Sequence, residues 1–486
     1  MRPEAALAEV EISGLTADSR QVAAGYLFAA LPGSQADGRD FIPQALEKGA
    51  AAVLAPKGTT LPAGAPAVAL ITDANPRRRL ALLAARFYQR QPATAAAVTG
   101  TNGKTSVASF TSQIWRALGH EAASLGTLGL QPPRADAPAS LTTPDPVELH
   151  RCLASLARDR VDHVVLEASS HGLDQFRLDG IRVGAAAFTN LTRDHLDYHG
   201  SMEAYLAAKM RLFAELLQPD GTAVVNLDDP AGAQVAEVCR ARGLKILTYG
   251  KAVSDLQLLE QTPTATGQDL ALKLLGREMN LSLGVAGAFQ AGNVLAALGL
   301  VLAGGEDLDR AAATLSGLEG VPGRVELVGE TAAGGHVYVD YAHTPDALET
   351  VLHALRPHTR NRLAVIIGCG GDRDRGKRPQ MGAIAVRLAD KAYITDDNPR
   401  SEDPAAIRRE MLAAAPEAEE IGDRGAAIAT AVAALGSGDV LVIAGKGHEA
   451  GQIDGRQRIN CHGCLHFTFQ GRSTYCEKHS ARRSVP

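Results

Sequence analysis

Apolar positions in this chain fall into short runs that each stop at a polar cluster, and the runs alternate with stretches of helical spacing. In the middle of the chain, runs at 95–98, 164–167, 185–189 and 223–226 predict strands. They lead into TGTNGKTS, EASSHGLDQFR, TNLTRDHLDYHG and NLDDP in turn. A second series at 337–339, 363–367, 392–395 and 440–443 leads into DYAHTPDA, GCGGDRDRGKRP, DDNPR and AGKGHE. Strands alternating with helices predict mostly parallel sheets with ligand crevices beyond the carboxyl ends of the strands. Residues 1–92 read as a smaller α/β unit, in which 42–46 begins a helix packed on 52–54 and Gly25, Gly33 and Gly38 punctuate the apolar runs.

The sharpest local pattern is 95–106, AAAVTGTNGKTS. A buried strand meets a tight turn at Gly100 and Gly103, and Val107, Phe110, Ile114, Trp115 and Leu118 then recur at helical spacing up to Gly119. Strand, glycine turn, Lys-Thr and helix make a phosphate cradle. Backbone N–H groups at Gly100, Thr101, Asn102, Gly103 and Ser106 would hold a triphosphate, Lys104 would neutralise its outer charge, and the Thr105 hydroxyl would reach Mg²⁺.

Composition narrows the partners. The 486 residues are 45% hydrophobic and 21% charged, with a formal net charge of −5, which excludes a general nucleic-acid surface and favours small-molecule substrates. The start lacks a basic segment followed by an apolar one, and no apolar run is long enough to span a bilayer, so a cytoplasmic location without membrane insertion is expected. Cys152, Cys239 and Cys369 are scattered, whereas Cys461, Cys464 and Cys476 crowd the last segment.

TGTNGKTS, with only Thr101 and Asn102 between its glycines, resembles the nucleotide loop of the Mur ligases and their folylpolyglutamate synthetase relatives. EASSHGL, DHLDYHG and YLAAK resemble further Mur ligase motifs and follow in that family's order. The N-terminal pattern DSR…DG..FI..A resembles the uridine-nucleotide domain of the member that adds the third peptide residue. The resemblance implies an α/β protein of three domains, with a smaller N-terminal α/β domain at 1–92, a central P-loop domain with a mostly parallel sheet at 93–321, and a C-terminal Rossmann-like domain at 322–486.

It implies that Thr105, Glu167 and His195 bind Mg²⁺ and that Lys209 is carbamylated, its new carboxylate supporting a second Mg²⁺. Carbamylation needs a neutral amine, and therefore a buried one. Ser19, with Ser34, Gln35 and Ala36 nearby, would contact the UDP group; Thr142, Thr143, Ser169, Gln175 and Arg177 would hold the rest of UDP-muramoyl-dipeptide. Asn293, Arg324, Asp340 and His343 fall where the family holds ATP. Arg373 with Asp397, Asn398, Pro399 and Arg400 resembles the meso-diaminopimelate version of the amino-acid site, and Gly445 and Glu449 would bind the amino acid's other polar end. An arginine there pairs with a distal carboxylate and repels a terminal ammonium.

The implied activity is ATP-dependent amide ligation by a monomer: a D-glutamyl carboxylate takes the γ-phosphoryl group of ATP, and an amine displaces phosphate. Domain closure would bring Arg373 and Arg400 to the amine donor. Addition of lysine or ornithine, a folylpolyglutamate synthetase-like ligation, a P-loop kinase and a non-catalytic nucleotide-binding relative stay open as alternatives. From about residue 454 the resemblance fails. Cys461-x2-Cys464 and Cys476-x2-His479 have zinc spacing, against which stands a replaced or out-of-frame end with incidental cysteines.

Overall fold

The computed structural model describes residues 10–33, 36–134, 137, 141–449, 451–454 and 457–460. Ser34, Gln35, Cys461, Cys464, Cys476 and His479 therefore lie outside the described residues. The chain gathers into two compact units: 1–249 with 296–311, and 250–295 with 312–486.

The first unit opens with four parallel strands in chain order, β1 (Gly14–Thr16), β2 (Tyr26–Ala29), β3 (Ala52–Pro56) and β4 (Ala69–Asp73). Ile42 and Ala45, on the helix Ile42–Glu47, pack with Val53 on one side, as the spacing predicts. On the other side Leu15, Leu27 and Leu54 meet Leu80 and Ala84 of the helix Pro76–Tyr88. That helix starts where it does because the Asn75 side chain accepts from the Arg78 N–H and Pro76 needs no partner for a missing one.

The unit's larger sheet comprises β5 (Thr94–Thr99), β6 (Ala122–Gly126), β7 (Gly129–Gln131), β8 (His163–Glu167), β9 (Val183–Phe188), β10 (Leu217–Asn226) and β11 (Lys245–Gly250). The spatial order is β11-β10-β9-β5-β8-β6-β7, parallel except for the β6–β7 hairpin. Ala95 through Thr99 are all buried, as befits a central parallel strand covered on both faces. The predicted strands are recovered with edges moved by a residue or two, except β10, which starts at Leu217 and shifts register between Leu217 and Thr222.

In the second unit β12 (Leu256–Pro263), β13 (Gln268–Leu274) and β14 (Arg277–Leu283) form an antiparallel meander. A separate sheet contains β15 (Glu326–Glu330), β16 (His336–Val339), β17 (Leu363–Ile367), β18 (Lys391–Ile394), β19 (Glu419–Glu420) and β20 (Val440–Ile443), ordered β15-β16-β20-β17-β18-β19. All neighbours are parallel except β15 with β16. Val365, Ile367 and Val442 pack against Leu348, Leu352 and Met381 on one face, and Ile366, Leu441 and Ile443 against Ile428 on the other. Each such buried aliphatic side chain contributes about 1.5–3 kcal/mol. An antiparallel pair, β21 (Gly451–Asp454) and β22 (Gln457–Asn460), follows. No helix among the described residues is long and apolar enough to cross a membrane.

Candidate functional site

The carboxyl ends of β5, β8 and β9 converge on the phosphate-type loop. Gly103, at φ 88°, sits in the left-handed region as the N-cap of the helix Lys104–Ala117, so the first N–H groups of that helix open toward the turn. The loop is tied down from β9: Thr101 N–H donates to the Asn190 carbonyl at 2.8 Å, and Asn102 N–H to Asn190 Oδ1 at 2.9 Å. The Thr189 hydroxyl donates to the Asn102 carbonyl at 2.6 Å. Lys104 Nζ donates to the carbonyls of Gly100 and Thr101 at 2.9 and 2.7 Å, which lays its charge along the loop. Ser106 is buried one residue beyond Thr105.

Thr105 Oγ1 donates to Glu167 Oε2 at 3.1 Å, so the end of β8 meets the start of the loop helix. Glu167 is only 2% exposed and is held further by the Thr127 N–H at 2.8 Å and the Thr127 hydroxyl at 3.1 Å. Thr127 lies in the β6–β7 turn, and sequence reasoning missed it. A Cβ at Gly126 would fall 2.0 Å from Glu167 Oε1, so only glycine leaves room for this carboxylate.

Lys209, on the helix Met202–Arg211, is 1% exposed and donates to the Gly100 carbonyl at 2.7 Å. Its Nζ lies 4.2 Å from the Tyr205 ring centroid. Burial first, and the nearby Lys104 charge second, hold its pKa well below the usual lysine value. Directly after this helix comes a π-helical turn, Leu212–Leu216. Burial likewise pushes Tyr205 up to about 12, and its hydroxyl donates to Thr101 Oγ1 at 3.3 Å. His195 takes a left-handed φ of 52° as it caps the short helix Leu196–His199 and leaves its ring half exposed. That ring stands edge-on to His171, centroids 4.8 Å apart, and 6.2 Å from Tyr205. Burial and the charges of His195 and His199 pull His171 down to about 4.

A second network adjoins the end of β8. Thr143 Oγ1 donates to the Glu167 carbonyl at 2.7 Å and lies 3.0 Å from the Ser169 hydroxyl, while Thr142 Oγ1 lies 3.0 Å from that of Thr127. Arg177 donates to the Thr143 carbonyl and to Gln175 Oε1, both at 2.7 Å. Gln175 donates to the Tyr198 hydroxyl at 3.1 Å, which in turn donates to Asp174. Thr142, Thr143, Ser169, Gln175 and Arg177 thus form one connected set, with Tyr198 as a member the sequence did not single out. Ser19 is buried in a 3-10 turn, Ser19–Gln21, whose carbonyl at Ser19 accepts from Lys48 Nζ at 3.0 Å. Ala36 is exposed, and its carbonyl accepts from the Gly33 N–H at 3.0 Å.

In the second unit, Asn293 donates to Gln290 Oε1 at 2.8 Å, and Gln290 to the Arg324 carbonyl at 3.3 Å. The Arg324 guanidinium lies 4.8 Å from the Tyr341 ring centroid. Asp340 is buried; its carboxylate accepts the N–H groups of Val325 and Ala342 at 2.8 and 2.7 Å, while burial raises its pKa against these and Arg324. His343 Nδ1 donates to the Tyr341 carbonyl at 2.9 Å. The N–H of Gly445 donates to the Asp340 carbonyl at 3.1 Å, joining the ends of β16 and β20.

Around DNPR the organising cation is Lys446 of the GKGHE segment, whose role nothing local in the sequence reveals. It is buried, 2.6 Å from Asn398 Oδ1, 2.9 Å from Asp397 Oδ1 and 3.7 Å from Glu449 Oε2. Asn398 also donates to Glu449 at 3.4 Å. Arg400, at φ 53°, donates to the Gly371 carbonyl at 2.7 Å, Arg373 is exposed on the adjoining loop, and the Pro399 carbonyl accepts from Glu402 N–H. Arg378, fully buried and also missed, forks onto Glu402 at 2.8 and 2.9 Å and reaches Glu410 at 2.9 Å. Glu402 accepts the Asp372 N–H at 2.6 Å, so Arg378 fixes the loop that carries Arg373.

A phosphate-type loop with a buried carboxylate at the neighbouring strand end, followed by a second parallel sheet with arginines at its strand ends, defines a nucleotide-dependent ligase architecture. Sequence profiles agree: the Mur ligase family catalytic domain matches residues 11–88, the Mur ligase middle domain 98–301 and the Mur ligase glutamate ligase domain 323–447. A UDP-N-acetylmuramoyl-L-alanyl-D-glutamate–2,6-diaminopimelate ligase from Caulobacter vibrioides is 55% identical over 448 residues, covering 91% of this chain and 92% of the relative. One of the same name from Bradyrhizobium diazoefficiens is 51% identical, covering 93% of each. A solved structure of a ligase of that name superimposes with a TM-score of 0.69 at 35% identity, covering 92% of both chains. The chain belongs to the Mur ligase family, and it is a ligase.

Proposed function

We propose that this chain joins 2,6-diaminopimelate to the D-glutamyl carboxylate of UDP-N-acetylmuramoyl-L-alanyl-D-glutamate, with ATP as the energy source, in peptidoglycan precursor synthesis. The observation that carries the reading is the Thr105–Glu167 contact at the mouth of the phosphate-type loop, in a chain about half identical to ligases of that name. In the first step an oxygen of the substrate carboxylate bonds to the γ-phosphorus, the bond to the β–γ bridging oxygen breaks, and ADP leaves. In the second the amine nitrogen of the diamino acid bonds to the acyl carbon, the bond from that carbon to the phosphate-bearing oxygen breaks, phosphate departs with that oxygen and the bonding pair, and the nitrogen loses a proton.

The residues supply positioning and charge. The loop N–H groups and Lys104 hold the phosphates, which is where phosphoryl transfer needs most help. Thr105 and Glu167 are oxygen donors of the kind Mg²⁺ prefers, with His195 on the neighbouring loop, and a bound Mg²⁺ would neutralise the transferring group. Lys209 is an amine rather than an oxygen donor. Buried, with its pKa held well below the usual lysine value, it can add CO2 through its deprotonated nitrogen with loss of one proton, and the resulting carbamate is an anionic ligand. Thr142, Thr143, Ser169, Gln175 and Arg177 hold the muramoyl-dipeptide, with Ser19 and the 34–36 turn at the uridine end. Asn293, Arg324, Asp340 and His343 serve the nucleotide. Arg373 and the 397–400 turn receive the distal carboxylate, and Gly445 and Glu449 the other end. Residues 1–92 take the uridine nucleotide, 93–321 carry the ATP loop together with the muramoyl-dipeptide residues, and 322–486 carry the amino-acid site together with Arg324, Asp340 and His343.

The test incubates the protein with ATP, Mg²⁺, the UDP-muramoyl-dipeptide and equal diaminopimelate, lysine and ornithine, and weighs the products. A diaminopimelate adduct is expected. A lysine or ornithine adduct keeps the ligase and discards the arginine argument, and no adduct discards both.

A further inference from the structure

His120, His163 and Glu306 gather at the opposite end of the central sheet from the phosphate-type loop. His163 is the first residue of β8 and Glu167 the last, so the two sites are about 13 Å apart along that strand. One nitrogen or oxygen of each of the three residues lies within 4.8 Å of the others. Each is delivered by rigid structure. His120 follows the Gly119 turn that ends the helix Lys104–Ala117, with its N–H bonded back to the Trp115 carbonyl at 3.0 Å. Glu306 follows the equivalent Gly305 turn that ends the helix Phe289–Ala303. The N–H groups of Asp162 and His163 both donate to the Glu121 carbonyl, at 3.0 and 3.2 Å.

His120 Nε2 lies 2.6 Å from Glu306 Oε1, and the His120 and His163 rings lie with centroids 4.1 Å apart, tilted 40° to one another. Asp162 faces the far nitrogen of both rings: Oδ1 is 2.8 Å from His163 Nδ1, and Oδ2 is 3.9 Å from His120 Nδ1. Asp162 lies too far from His120 Nδ1 for a hydrogen bond, but by accepting the His163 Nδ1–H it fixes the tautomer in which His163 Nε2 carries a lone pair, the outer-shell arrangement typical of metal-binding histidines. For His120 the same tautomer requires only that the proton facing Glu306 move to Nδ1, which frees Nε2 and the carboxylate together. Trp115, packed on His163 at 4.9 Å, shields one side.

We propose that His120, His163 and Glu306 bind a divalent first-row transition cation of the Zn²⁺ class, with Asp162 as the positioning residue. Two imidazoles and a carboxylate favour such an ion over Mg²⁺, which prefers oxygen ligands. The ion would pin two helix ends to the start of β8 and take no part in the ligation.

The full-length protein, stripped of metal and supplied with excess Mg²⁺, is titrated with Zn²⁺ by calorimetry and with Co²⁺ by visible absorption. One equivalent is expected here, with cobalt bands that lack thiolate charge transfer. Glu306→Gln and His120→Gln should each weaken it by at least about tenfold, Asp162→Asn by about 10- to 100-fold, and Cys461→Ser with Cys464→Ser not at all. Zn²⁺ should raise the melting temperature of the wild type but not of Glu306→Gln, whose metal-free melting curve serves as the folding control. If Glu306→Gln does not fold, His120→Gln carries the same comparison. Binding that survives both substitutions, that depends on the cysteines alone, or that is absent from the wild type overturns the proposal.

Discussion

At the scale of single residues, the site depends on close approaches that glycine permits. Gly126 lets the Glu167 carboxylate lie where a Cβ would otherwise be, 2.0 Å from Oε1 and 2.4 Å from Cδ. Gly126→Ala must therefore displace the carboxylate from Thr105 and Thr127, at a strain cost of about 1–3 kcal/mol. If Glu167 holds Mg²⁺, the Mg²⁺ concentration for half-maximal phosphate release should rise by about tenfold or more, while the KM for diaminopimelate stays near its original value. A superimposable Mg²⁺ curve from a folded variant would remove Glu167 from the metal site. Glycine at 126 was readable in the sequence; its reason was not, because the atom it avoids lies 41 positions away on another strand.

At the scale of elements, strand ends were legible and their cross-connections were not. The runs at 95–98 and 164–167 became β5 and β8 because parallel strands buried on both faces need continuous apolar sequence, and their polar motifs then had to emerge at one edge. The β12–β14 meander was left unread, although Gln268–Leu274 alternates buried and less buried positions as a half-covered strand should. Arg378 and Lys446 were missed for another reason. Nothing local distinguishes a solvated cation from one buried against Glu402 or Asn398, since the partners arrive from separate loops. The Arg378 fork, with the Asp372 N–H, holds the Glu402 pKa down from 4.5 to about 2. A carboxylate depressed in the folded state contributes stability that is complete above its unfolded pKa and disappears as pH falls through the folded value. The stability gap between wild type and Glu402→Gln should thus be constant above about pH 5, narrow below 4.5 and vanish near 2. Denaturant titrations across that range measure it, and a gap independent of pH would show that Glu402 acts through packing alone.

At the scale of the whole molecule, the proposed function divides the recognition of two anionic substrates between the two units, each of which contains a mostly parallel sheet. Arg177 sits in the first, joined to Thr143 and Gln175; Arg400 sits in the second, joined to Gly371. Guanidinium groups suit both tasks, since each substrate offers a carboxylate or phosphate to a planar donor pair. If the assignment is right, the losses should be selective. Arg400→Ala should raise the KM for diaminopimelate by about tenfold to a hundredfold, the loss of about 1.5–3 kcal/mol expected for a charged hydrogen bond, and leave that for the UDP-muramoyl-dipeptide nearly unchanged. Arg177→Ala should do the reverse. Because Arg177 bonds Thr143 and Gln175 whereas Arg400 bonds Gly371 and Asn398, the double variant should show both defects multiplied, as independent sites do. Steady-state kinetics with each substrate varied in turn decides between this and a shared site, in which either substitution would raise both constants and the double variant would lose less than the product.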